Sequence, residues 1–302
     1  VLGLRITPAN SPEGIYKAFH NLERFVMLLI GMALAISELI VLIRGGGEMA
    51  TGIAHRLHRC HMRVLITEIA MPTAVRRNVA FAEAVYEGAQ TVEGVKAVRV
   101  RSCDEASAAW EQNQIPVFVD AEASVGKILK PVVVVDAIMA KKNGATKLTD
   151  APVVIAVGPG FTAGVNVHAV VESNRGHHLG RVIWEGAAES YTGIPASVDG
   201  YTESRVLRVP QSGIFNALRA IGDVIAAGEP VATVHGELIK AEISGQIRGL
   251  LRNGIQVQQG IKAGDIDPRG ERGYCDSISD KSRAIAGGVL EAVLHSLRGL
   301  NS

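Results

Sequence analysis

Six short β-branched runs constrain the fold most: residues 39–43, 64–67, 95–100, 116–120, 132–136 and 153–157. VVVV (132–135) and VVIAV (153–157) show no polar alternation, so both faces of those strands have to be covered. Helical stretches or irregular connections separate the runs. Ile53, Ala54, Leu57 and Cys60 fall at helical spacing just after a glycine-rich turn. The pattern predicts an α/β fold, a Rossmann-like and mostly parallel sheet with crossover helices over residues 39–205. Aromatics at 4% against 33 glycines favour small-residue helix–sheet packing over an aromatic-plugged β-sandwich.

From about residue 206 the texture changes to an internal repeat. SGIFNALRAIGDVIAAG (212–228) and SGQIRGLLRNGIQVQQG (244–260) align without a gap at an offset of 32. Gly213, Gly222 and Gly228 match Gly245, Gly254 and Gly260, and Phe215 and Leu218 match Ile247 and Leu250. Two β-rich half-units of this kind resemble a lipoyl/biotinyl-like barrel-sandwich, expected over 206–268. Lys240 lies too close to the second half, in the flanks LIKAE, to be a carrier lysine, and reads as a surface residue. Residues 269–302 are expected to be a C-terminal segment ending in a helix, 279–297, that packs back on the α/β part. Gly287 and Gly288 within that helix each cost roughly 1 kcal/mol relative to alanine, which points to a close backbone approach.

The turn after the first strand, Gly45-Gly46-Gly47 with Ala50, fits the dinucleotide fingerprint G-x-G-x-x-G/A. Glycine permits a tight turn and helix N-terminal amides attract an anion. Glu68, at the end of the second strand, stands where an acid can bond a ribose hydroxyl. The competing reading is that the glycines only pack helix on strand, with Glu48 repelling any phosphate. Arg76 and Arg77 are either forked phosphate clamps or solvated arginines on a helix flank. Asp136 closes a strand and is followed by Lys141, Lys142 and Asn143. A doubly wound sheet would gather all of these at one crevice.

Residues 156–180 are the densest in chemistry. A strand runs into Gly158-Pro159-Gly160-Phe161, and His168, Glu172, Arg175 and His177 follow. Gly158, Gly160 and Arg175 suit an oxyanion or phosphate, and His168 or His177 suits proton transfer near neutral pH. Taken singly, each histidine reads as a structural side chain. Cys275 precedes the last helix beside Arg272. That placement would lower its pKa and make it nucleophilic, the alternative being an inert thiol.

Lys plus Arg total 31 and Asp plus Glu 30, so no bulk charge calls for nucleic acid or an acidic membrane. Three scattered cysteines form no CxxC and no disulfide framework, and the histidines lack metalloprotease spacing; no metal is expected and a reducing compartment is. The apolar run FVMLLIGMALAIS (25–37) is too short for a comfortable membrane span. It leads almost directly into the first strand, without room for a cleavage site. Residues 1–38 are therefore read as an extension, with Met32 a reasonable true start.

Assembled, IRGGGEMATGIAHRL, EIAMPTAVRRNVAFAEAVYEG, VDAIMAKKN, GPGFTAGVNVHAVVESNRGHHLGRV and CDSISDKSRAIAGGVLEAV resemble the YqeB-type family over residues 39–297. The resemblance implies a cytoplasmic accessory protein of selenium-dependent molybdenum hydroxylases, with selenium as cargo. It implies a site for the molybdenum cofactor (molybdopterin, often carrying a nucleotide) or for a selenium precursor. The client hydroxylase and selenium-donor proteins would be partners, and a homo-oligomer is compatible. Selenium delivery would want a nucleophilic thiol, for which Cys275 is best placed. Two other functions stay open: an NAD(P)-linked oxidoreductase, disfavoured by the lack of a hydride-transfer constellation, and a non-catalytic scaffold.

Overall fold

The first apolar run forms strand β1 (Ile40–Arg44) and turns at Gly45 into helix α1 (Glu48–Arg59), which feeds strand β2 (Arg63–Glu68). The computed structural model describes residues 36–140 and 143–300, without the side chains of 298–300. Residues 40–302 make up one compact unit, with which all that follows is concerned. Nearly all of the expected N-terminal extension, and Lys141 and Lys142, lie outside the described residues.

Beyond β2 a hairpin joins β3 (Ala89–Val92) to β4 (Val95–Val100). Its two-residue loop, Glu93-Gly94, has φ of 44° and 81°, the left-handed pair that a twisted hairpin needs. Helix α2 (Cys103–Glu111) is capped by Ser102, whose hydroxyl accepts from the Glu105 amide at 3.2 Å. Strands β5 (Ile115–Val119), β6 (Val133–Asp136), β7 (Val153–Val157), β8 (Thr162–Ala163), β9 (Ala169–Val171), β10 (Val182–Ile183) and β11 (Gly186–Ala187) follow. Nine strands form one sheet in the order β10-β9-β7-β6-β1-β2-β5-β4-β3.

This sheet corrects the expected Rossmann-like arrangement. It is mixed: the central strands are parallel, but β10 on β9 and β3 on β4 are antiparallel at both edges. Among the described residues, the β6–β7 connection holds only a 3-10 turn at Leu148–Asp150, and no helix joins β7 to β9. β6 and β7 are buried at every position, as their apolar runs require. Cover on one face comes from Phe161, Ala163, Val167 and Ala188, which cluster with Val154, Ala156 and Val170. On β7, β9 and β10 it also comes from the C-terminal helix. An apolar run shows that a strand is covered but not what covers it: crossover helices α1 and α2 pack on β1, β2, β4 and β5, whereas no crossover helix joins β6 to β7 or β7 to β9 among the described residues.

The remaining strands are β12 (Val206–Arg208), β13 (Gly213–Ala217), β14 (Val224–Ile225), β15 (Pro230–Val234), β16 (Glu237–Lys240), β17 (Gly245–Leu250), β18 (Gln256–Val257) and β19 (Lys262–Asp267). They form two antiparallel sheets, β12-β19-β17-β14 and β16-β15-β13-β18, around Phe215, Ile225, Val231, Ile247, Leu250 and Val257. The repeat is visible in the bonding. β13 pairs with β18 of the other half, and β17 pairs with β14. Gly222 donates to Ile247 O and Gly254 to Phe215 O, both at 2.7 Å; Gly228 donates to Ala241 O and Gly260 to Val209 O, both at 2.8 Å. Each half thus closes on the other at the offset read from the sequence.

Helix α3 (Asp280–Leu300) lies against α1 and the β7-β9-β10 edge. Small residues set the approach. A Cβ at Gly288 would collide with the Gly180 carbonyl oxygen, and one at Gly52 with the Ser282 hydroxyl, whereas Gly287 has open space. Ser282 Oγ donates to Glu48 O at 3.0 Å, and Arg283 grips both Glu93 oxygens at 2.6 and 2.8 Å. Gly288→Ala should therefore destabilise by about 1–3 kcal/mol through overpacking. Gly287→Ala should stabilise by up to about 1 kcal/mol through helix propensity. Urea unfolding of the two variants measures both, and equal shifts would contradict the packing described.

Candidate functional site

The carboxyl ends of β1, β2, β6, β7 and β9 share one edge of the parallel sheet, and two clefts open along it. The smaller, about 350 Å³, is lined by Gly45, Gly47, Glu48, Glu68, Ile138 and Met139 among others. The larger, about 890 Å³, runs from Met139, Pro159 and Ser173 to Arg205, Arg208 and the β18–β19 turn at Gln259–Lys262. Its far wall is thus the antiparallel sheets. Those sheets are docked by the Leu250 amide on Val75 O (2.9 Å), and Gly249 leaves no room for a Cβ against Val75.

The glycine turn is largely committed to its own fold. Gly45 has φ of 93° and donates to Thr67 O at 2.8 Å. Gly46 lies against the Ala82 backbone, where a Cβ would come within 2.9 Å of the Ala82 nitrogen. Its amide donates to Glu68 Oε2 at 2.7 Å, while Glu68 Oε1 accepts from the Ile69 amide at 2.7 Å. Glu68 therefore closes the turn from inside, a correction to its expected ribose role; burial pushes its carboxyl pKa up. Gly47 N-caps α1 and has open space where a Cβ would stand, and Ala50 is buried in the helix.

Arg76 and Arg77 are not phosphate clamps. Arg76 is buried, donates to Tyr274 O (2.8 Å) and Ser277 O (3.1 Å), and lies 3.3 Å from Glu48. Arg77 donates to Leu250 O at 2.8 Å. Both fasten the C-terminal region to the sheet, and neither lines a cleft. Asp136 is buried under the edge, accepting from Thr146 Oγ1 at 2.6 Å, and Asn143 brackets Thr146 through two backbone bonds.

Gly158 is buried beside Ser173 and Gly160 is exposed, both with positive φ; the Gly158 amide is already donated to Val171 O at 2.9 Å. His168 lies at the opposite, amino edge of the sheet, where its Nδ1 accepts from the Val154 amide at 2.9 Å. That removes it from the site. His177 is exposed against His178, ring centroids 5.1 Å apart, and lines neither cleft. Arg175 does line the large cleft, forked on Asp280 at 2.5 and 2.8 Å. This fork holds the Asp280 carboxyl far below the usual carboxylate range.

Cys275 is 1% exposed with its thiol 3.7 Å from Ile247 O, and burial pushes its pKa up. It ends a 3-10 turn at Arg272–Cys275, short of the α3 N-terminus at Asp280, so the expected activation does not occur. The sequence placed the thiol near a helix start and an arginine but gave no sign of its burial.

Sequence reasoning missed the side chains that give the large cleft its character: Arg205, Arg208, Lys262 and Lys281, which join Arg175 against a single lining carboxylate, Glu189. Arg205 and Lys262 reach Asp265 at 3.5 and 3.0 Å, and Arg208 donates to Gly260 O at 3.2 Å. Burial, then repulsion from Arg175, pushes the Lys281 pKa down. One signal was available. A lysine in the first turn of a helix opposes the macrodipole, and such a local breach of rule marks candidate sites.

The thiol geometry gives a direct check. At pH 7.5 iodoacetamide should label half-buried Cys60 and Cys103 at least about tenfold faster than Cys275, because only the thiolate of an accessible cysteine reacts. Fastest labelling at Cys275, read by peptide mass spectrometry, would contradict the burial.

No protein-family model matches the chain. Uncharacterized protein YqeB of Escherichia coli (strain K12) is 49% identical over 255 residues, which is 84% of this chain. The match takes in 47% of that relative, so the chain spans about half its length. Among solved structures, an aspartoacylase family protein from Mesorhizobium loti aligns with 76% of this chain and 85% of its own at 11% identity and a TM-score of 0.24. A succinylglutamate desuccinylase/aspartoacylase from Rhodobacter sphaeroides aligns with 75% and 86% at 14% identity and a TM-score of 0.23. Scores this low carry no argument about fold or activity. On the sequence match, the chain belongs to the YqeB-type family.

Proposed function

We propose that the protein holds a phosphate-bearing small molecule in the large cleft and acts as an accessory factor for a selenium-dependent molybdenum hydroxylase. In this reading the ligand is the molybdenum cofactor or a selenium precursor, and the protein helps labile selenium to be inserted in a client hydroxylase in the cytoplasm. The observation that carries the reading is the lining itself: Arg175, Arg205, Arg208, Lys262 and Lys281 against Glu189. Lys281 is half-buried and forms no ion pair among the described residues, although Glu48 and Glu172 attract it. A cleft of about 890 Å³ is of the size that takes cofactor-like ligands. The maturation role is what family resemblance adds to the anion site. With Cys275 buried, its contribution to this reading is not thiol chemistry, and the cleft supplies binding and orientation.

The oxidoreductase alternative loses ground, because the Gly46 amide that would meet a dinucleotide phosphate is already donated to Glu68.

Native mass spectrometry of protein purified anaerobically, with elemental analysis for molybdenum and selenium, tests the proposal. A bound phosphate-bearing pterin or selenium species is expected, and an NAD(P) mass without either element would overturn it. Titration with pyrophosphate tests the anion site separately. Arg208→Glu and Lys281→Glu should each weaken pyrophosphate binding by about 10–100-fold, from the loss of one charge-assisted contact of about 1.5–3 kcal/mol. Unchanged affinity in both would remove the site.

A further inference from the structure

The two clefts share a lining residue. Met139 lines both, with its backbone in the left-handed region (φ 62°) and its methyl 3.6 Å from where a Cβ at Gly158 would stand. Their electrostatics are opposite. The large cleft carries the cations named above, whereas the small one is lined by two carboxylates, Glu48, whose Oε1 lies 3.3 Å from Arg76, and Glu68, which accepts from the Gly46 and Ile69 amides. Its one lining cation, Arg44, is buried and turned away, donating to Thr146 Oγ1 at 2.5 Å and lying 3.9 Å from Asp136. A second phosphate is therefore the wrong occupant for the small cleft: it would face two carboxylates, and the Gly46 amide is already taken.

The walls say more. Met49, Ile69, Pro72, Ile138 and Met139 surround the carboxylates, and Ile69 and Ile138 remain 45% and 48% exposed at the opening. Exposed apolar side chains around hydrogen-bond acceptors suit a flat ring that is apolar on its faces and carries N–H donors on its edge. A volume of about 350 Å³ suits a heterocycle and not a whole nucleotide.

We infer that the small cleft takes an N–H-bearing heterocycle, of guanine or pterin type, joined past Met139 to an anionic tail in the large cleft. This rests on the reading of the large cleft as an anion site, and it names the ligand class: a heterocycle carrying a phosphate or diphosphate. Glu48 Oε2, which takes no bond from the chain among the described residues, accepts a ring N–H, and Ile69 and Ile138 pack on the ring.

Calorimetric titration with pyrophosphate, guanosine and GDP tests it, on the intact chain and on Ala74→Trp and Ala121→Trp, which fill the small cleft from two separate positions on its lining. Thermal melts confirm that both variants fold. GDP should bind at least about tenfold tighter than pyrophosphate, a difference of about 1.4 kcal/mol. Both tryptophans should bring GDP to the pyrophosphate level while leaving pyrophosphate itself unchanged. GDP binding no tighter than pyrophosphate, or an advantage that survives both tryptophans, overturns the inference. If pyrophosphate fails to bind but guanosine binds and is lost in both variants, the anion reading falls and the heterocycle site stands. If neither binds, both fall.

Discussion

The contact on which the site depends is the packing of α3 against the Gly180 backbone. At Gly288 the helix comes so near the Gly180 carbonyl that no side chain fits, and at Gly52 the Ser282 hydroxyl fills the space of a missing Cβ. These approaches fix where the helix begins. Its first turn then places Asp280 on Arg175 and Lys281 in the large cleft. Without that registration the carboxyl edge of the sheet would keep its strands but lose Lys281 from the cleft and the carboxylate that holds Arg175.

The second constraint is how charge is held at low exposure. Asp265 and Asp267 are buried on β19, and each draws a pair of cations: Arg205 and Lys262 for one, Arg248 and Arg269 for the other. Buried ions contribute little net stability, because desolvation offsets the attraction. What they do here is orientation. Arg205 and Lys262 are held at the cleft wall by Asp265 behind them, ready for an anion without a further ordering cost. Nearby cations hold both carboxyl pKa values below the ordinary aspartate range, against the opposing effect of burial. The arrangement therefore persists well below neutral pH.

The expected Rossmann-like class was not the one found, and what was legible is what sequence states as a local requirement. The repeat at an offset of 32 reappears as matched bonds at Gly222 and Gly254 and at Gly228 and Gly260. The runs at 132–135 and 153–157 lie in strands buried throughout. Legibility failed where the requirement is met from far along the chain. Crossover helices were expected to cover β6 and β7, but residues 161–188 cluster with them and α3 packs on β7. Arg76 and Cys275 were read as site residues from their neighbours in sequence, yet both are buried among partners that only the tertiary fold supplies. Conversely, Arg205, Arg208 and Lys262 look like ordinary surface charges until the antiparallel sheets place them opposite Arg175.

The account turns on one claim, that segments distant in sequence form a single charged cleft closed by the start of α3. Hydrogen exchange of the wild-type protein with and without GDP tests this most directly. The account predicts slower exchange appearing together, at one GDP concentration, in residues 172–176, 205–208, 259–262 and 280–284. Protection confined to the glycine turn at 45–50, with the other segments unchanged, would contradict it.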